Sequence, residues 1–241
     1  MEELFRSGTL AMSADPISGM AAGPAWAELP GNRILAVAAV VLLVISLPEL
    51  VRIAPQLGYA LTRPRGAADL EHSLGTARAR NAVALVFLLP FCLLADRYAL
   101  FRPAFLSRIP APWSPAAVFG MAAGYLLLRR CCHAVFRPRR LNAEQSAALR
   151  HIPYSHFIPL TALLLFTAGV LAPFHAPDSL VRSILGWECA AAAALCLFRA
   201  GQFLRGDCSG FATIMYLCGL EIIPAAAFAA LIVFFDQIAA R

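Results

Sequence analysis

Lysine is absent from this chain of 241 residues; all twenty basic side chains are arginines. A GC-rich genome accounts for that choice, and it carries no functional message. Charge of either sign is scarce, at 14% of residues against 60% hydrophobic, and the mean hydropathy is +0.71. A water-soluble domain of this length would lack the polar surface to cover itself, so the soluble globular class is excluded. Catalytic signatures are missing as well. There is no Gly-rich phosphate loop, Gly-x-Ser-x-Gly elbow, His-Glu-x-x-His or paired Asp-rich lipid-phosphate motif, which weighs against an enzyme. Nor do the first 30 residues carry a basic start followed by an apolar stretch, so a cleavable signal peptide is not expected.

What the chain does have is long apolar runs. Crossing a hydrocarbon core of about 30 Å takes roughly 20 helical residues. Six runs qualify: Ile34 to Val51, Asn81 to Leu100, Pro115 to Leu128, His156 to Pro173, Ser183 to Leu204 and Phe211 to Phe235. Val37 to Leu47 and Ala190 to Phe198 are apolar all round, whereas barrel strands alternate apolar and polar. The expected fold is therefore an all-α polytopic membrane protein: a mobile tail over 1–31, then a six-span domain over 32–241. No segment between spans is long enough to bury a core of its own.

Orientation follows from arginine placement. The segments after spans one, three and five hold Arg52, Arg63, Arg65, Arg78, Arg80, Arg129, Arg130, Arg137, Arg139, Arg140, Arg150, Arg199 and Arg205, thirteen in all. The opposite side holds seven: Arg6, Arg33, Arg97, Arg102, Arg108, Arg182 and Arg241. This bias predicts both termini outside the cytoplasm. Trp26, Trp113 and Trp187 fall beside span ends on that outer side, as a one-sided aromatic belt. The arginines sit in loops without interleaved aromatics, so nucleic acid is not an expected partner; the lipid bilayer and other membrane proteins are.

Two inner loops contain amphipathic spacing. Leu70, Leu74 and Ala77 suggest a surface helix with Arg78 and Arg80 toward lipid phosphates, and Leu141 to Leu149 suggests another, capped by Asn142. An ordinary solvated loop fits each equally well. Gly120 and Gly124 form a small-xxx-small motif suited to close packing within the molecule. Pro90 and Pro224 sit inside spans, where each frees a carbonyl four residues earlier.

The candidate functional residues lie within the membrane: Glu221 above all, with Arg199, Tyr216, Pro224 and Glu188. Glu221 is about ten residues from either end of the sixth run, near the bilayer midplane, where an unpaired charge costs several kcal/mol. Folding spans five and six into a hairpin brings Arg199 within reach of it. The two expectations are an Arg199–Glu221 ion pair, or a protonated Glu221 hydrogen-bonded to a neighbouring helix while Arg199 snorkels to the headgroups. Asp96 and Arg97 read as an interfacial ion pair. Of seven cysteines, Cys92, Cys189, Cys196 and Cys218 lie in spans as small apolar residues. Cys131-Cys132-His133 lacks the spacer of a zinc knuckle, so no metal and no cofactor are expected.

The phrase Tyr216-Leu-Cys-Gly-Leu-Glu-Ile-Ile-Pro224 resembles the signature of an uncharacterised polytopic inner-membrane family found mainly in Bacteroidetes, a domain of unknown function. Leu197-Phe-Arg-Ala-Gly-Gln-Phe-Leu-Arg-Gly206 is similar to the basic end of that family's fifth span. The resemblance covers the last eighty residues or so and marks Tyr216, Cys218, Glu221 and Pro224, with Arg199 and Gly206 as weaker matches. It implies a multi-pass protein of the bacterial inner membrane and no established activity. The leading functional expectation is a non-enzymatic accessory or scaffold component in envelope biogenesis or secretion. Alternatives are a small proton-coupled transporter using Glu221, or a membrane-embedded enzyme acting on a lipid or isoprenoid.

Overall fold

The computed structural model describes residues 26–63, 73–101, 103–135, 143–207 and 209–240. Every regular element among them is helical. Helix α1 runs Pro30–Thr62, α2 Leu74–Arg97, α3 Ser114–Val135, α4 Ala143–Leu171 and α5 Asp178–Asp207. The last crossing is split into α6, Gly210–Leu217, and α7, Ile223–Ala240, by a π-helical turn at Cys218–Ile222. Among the described residues, six helices are long and apolar enough to cross a membrane. This is a multi-pass membrane protein.

The distribution of side chains is the inverse of a water-soluble fold. Ile34, Val37, Val40, Val44 and Ile45 of α1 are all 60% exposed or more. Arg80, Asn32, Thr161 and Ser155, in contrast, are at most 1% exposed. Apolar side chains face hydrocarbon at no cost, while polar ones turn inward to find partners.

Helix α2 is the hub. It packs against α1, α3 and α4, and 56% of its apolar stretch is buried, against 11% for α1 and α5. Its contacts form three seams: Val83 and Phe87 with Ile53, Leu57 and Ile158; Leu88 and Cys92 with Leu106 and Val118; and partly buried Phe91 and Leu94 beside Leu164, Val181 and Leu185. Phe91 meets Phe157 edge-on at 5.2 Å. A fourth seam joins α4, α5 and the last crossing through Ala148, Leu149, Ile152, Ala200, Phe203, Leu204 and Leu220.

Several sequence expectations are corrected. The first helix continues eleven residues past Val51, through Pro48 and Pro55. A proline removes one donor from the ladder but does not end a helix whose flanks are held by neighbours. Leu74 and Ala77 belong to the first turns of α2, not to a surface helix, and Arg80 is buried against Asn81; Leu70 lies outside the described residues. Residues 143–149 of the second amphipathic stretch are likewise part of α4, and Ala148 and Leu149 are core; Leu141 and Asn142 lie outside the described residues. Trp26 to Glu28, within the expected tail, form a short 3-10 turn ahead of α1. The Trp26 indole Nε1 donates to Asp96 Oδ2 at 2.6 Å, and Asn32 Nδ2 donates to the Trp26 carbonyl at 3.0 Å. Asp96 also accepts from Ser114, tying the start of α1 to the end of α2 and the start of α3. It therefore makes no pair with Arg97, which bridges to Asp178 at 3.1 Å.

Candidate functional site

Proline 224 shapes the centre of the last crossing. A proline ring clashes with the carbonyl four residues earlier and brings no N–H to the ladder. The strain is absorbed in the π-helical turn just before it, where the Ile223 amide donates to Cys218, five residues back. Such a turn holds one extra residue and reorients the side chains it carries. Glu221 is one of them, and only 8% of it is exposed.

Its carboxylate is directed at α3. Arg129 Nη2 donates to Glu221 Oε1 at 2.6 Å, and Arg129 Nε donates to Oε2 at 3.2 Å. The third guanidinium nitrogen, Nη1, donates to the carbonyl of Arg150 on α4 at 3.0 Å. Arg129 is 5% exposed, so the pair is sealed from both water and lipid. A planar fork facing a planar carboxylate is the strongest geometry available to these two groups.

One helical turn beyond Arg129, His133 presents its Nε2 at 4.0 Å from Glu221 Oε1. It is 8% exposed, and Nε2 makes no hydrogen bond. One turn before Arg129, Tyr125 stacks edge-on with Phe228 of α7 at 5.6 Å. Positions 125, 129 and 133 thus form one polar stripe on α3, facing the π-helical turn. The close packing expected at Gly120 and Gly124 is not what the structure shows: a Cβ at Gly124 would meet Phe228 at an ordinary contact distance of 3.9 Å, so an alanine would fit there. At Gly120 the same position is open.

The expected Arg199–Glu221 pair is not formed. Arg199 Nη1 donates instead to Gln202 Oε1 at 2.9 Å, on its own helix. Glu188 stands apart from both: its Oε1 accepts from Thr167 on α4 at 2.7 Å. Tyr216 is partly buried against the α4–α5 seam, and Pro224 is buried. The structure therefore brings together Glu221 and Pro224 but leaves Arg199 and Glu188 in separate places.

Sequence reasoning missed Arg129 and His133. Arg129 reads as one more positive charge at a span end, and His133 as part of a Cys-Cys-His cluster. The available signal was the four-residue spacing of Tyr125, Arg129 and His133, which puts three polar groups on one face of an apolar helix. Among the described residues no group of three His, Cys, Asp or Glu side chains is arranged to hold a metal.

No family model matches the chain, and neither a characterised protein nor a solved structure does.

Proposed function

We propose that this chain is a protein of the bacterial inner membrane, with both termini outside the cytoplasm, that acts without catalysis as an accessory or scaffold component in envelope biogenesis or secretion. Its resemblance over Tyr216 to Pro224 supports placing it in the Bacteroidetes inner-membrane family named above. The observation that carries the functional reading is the saturation of the central charges. All three guanidinium nitrogens of Arg129 and both carboxylate oxygens of Glu221 are engaged within the protein. A pair so occupied fixes α3 against the last crossing and leaves neither charge for a substrate.

The test is a charge-free protein that still folds. Arg129→Leu combined with Glu221→Leu keeps an apolar contact between the same helices. Under the scaffold reading this double variant, once shown to be inserted and stable, complements a deletion.

One observation favours a second reading, proton-coupled transport. His133 Nε2 lies 4.0 Å from Glu221 Oε1 at the single break in the last crossing. A histidine beside an intramembrane carboxylate is a common arrangement in proton relays. A stable, inserted double variant that fails to complement would support transport and overturn the scaffold.

A further inference from the structure

The seam between α4 and α5 holds a second polar site that the central pair does not use. The two helices run antiparallel, and the Thr167–Glu188 hydrogen bond sets their register. Eleven residues back along α4 is His156, and eleven residues forward along α5 is Arg199, so the two side chains stand at one level. Arg199 is the charge that acts electrostatically on His156.

Both side chains have a buried polar atom without a partner. His156 is 6% exposed; its Nδ1–H donates to the Ile152 carbonyl at 2.9 Å, which leaves Nε2 as an acceptor, and Nε2 makes no hydrogen bond. Arg199 Nε is equally buried and unbonded. The guanidinium bonds only to the neutral Gln202 amide, and among the described residues no carboxylate pairs with it. Glu221 is taken by Arg129, and Glu188 lies about 16 Å away along the helix axis.

An uncompensated cation inside a membrane calls for an anion. Its depth says which kind. A helix of the 30 residues of α5 is about 45 Å long against a hydrocarbon core of about 30 Å. With α5 centred on that core and upright, Arg199, eight residues from the end at Asp207, lies about 5 Å inside the hydrocarbon boundary, within snorkelling reach of the phosphate layer. We propose that Arg199 and His156 bind a phosphate group that carries a hydrogen-bond donor beside it, the guanidinium holding the phosphate oxygens and His156 Nε2 accepting from the adjacent hydroxyl or ammonium. A phosphatidylglycerol or phosphatidylethanolamine headgroup has this chemistry, and so does free hydrogen phosphate. A phosphatidylcholine headgroup has the phosphate but no donor.

The experiment is native mass spectrometry of the full chain in a phosphate-free detergent. Phosphatidylglycerol, phosphatidylcholine and inorganic phosphate are titrated separately. The expected result is one tightly held phosphatidylglycerol, with phosphatidylcholine bound at least tenfold more weakly. Arg199→Gln should weaken both lipids at least tenfold. His156→Phe should abolish the preference between them, and Arg52→Gln, an exposed arginine at the same membrane end, should change nothing. Saturation by inorganic phosphate with the same variant dependence would also support the site and identify its ligand as a free anion. Equal binding of the two lipids by the unaltered protein, or no retained ligand of any of the three, would overturn the proposal without requiring any variant to fold. It stands apart from the scaffold reading, whose test leaves Arg199 and His156 untouched.

Discussion

Arg129 and Glu221 are 92 residues apart in sequence and meet through two hydrogen bonds, at 2.6 and 3.2 Å, with less than a tenth of either side chain exposed. Removing one partner of a buried pair strands the other, at a cost of about 3–5 kcal/mol. Arg129→Leu and Glu221→Gln should each destabilise the protein by that order, and the double change Arg129→Leu with Glu221→Leu should recover most of the loss. Thermal unfolding in a mild detergent, arranged as a double-mutant cycle, measures the coupling. Additive losses would mean that the pair contributes nothing specific.

Glu188 should behave differently. Its one described partner is the hydroxyl of Thr167, and a glutamine retains an oxygen that accepts from it. Glu188→Gln is expected to shift stability by less than about 1 kcal/mol, and Thr167→Val by about 1 kcal/mol in the destabilising direction. A loss for Glu188→Gln comparable to that for Glu221→Gln would show an ionised Glu188 with a charged partner.

Asp96 fastens the start of α1 through Trp26 and the start of α3 through Ser114. Asp96→Ala leaves both donors unbonded and should destabilise by about 1–3 kcal/mol. Trp26 should become more accessible, read as stronger quenching of its fluorescence in a variant with Trp113 and Trp187 replaced by phenylalanine. Unchanged quenching would place the anchor of Trp26 elsewhere.

Pro224→Ala restores the missing amide and favours a continuous α-helix by roughly 3 kcal/mol of intrinsic propensity. A regular helix would turn the Glu221 carboxylate away from α3. The Arg129–Glu221 coupling from the double-mutant cycle should therefore fall by at least half in this background. Full retention of the coupling would show that neighbouring helices, and not the proline, hold the π-helical turn.

Orientation is testable with Arg63→Cys, at the exposed C-cap of α1. With the native cysteines replaced by serine or alanine, a membrane-impermeant thiol reagent should label position 63 only in inverted vesicles. Labelling in intact spheroplasts would reverse the proposed topology.

The number and type of spans were legible in the sequence because lipid imposes a local rule. Each crossing must satisfy its own backbone hydrogen bonds and present apolar side chains, so Val37 to Leu47 declares itself without knowledge of any neighbour. That Glu221 is exceptional was legible for the same reason. Its partner was not. Chain proximity in a two-helix hairpin favoured Arg199, yet a π-helical turn before Pro224 directs the carboxylate to α3, where Arg129 had looked like one of many topology charges. Similarly, Leu74 and Leu149 have the spacing of surface helices but are parts of longer crossing helices, because a helix end is set by what packs against it. Hydropathy is a property of each segment alone, and the sequence by itself determined that much. Which polar side chain answers which across the interior depends on helix rotation and register, and only the packing of all six crossings decided it.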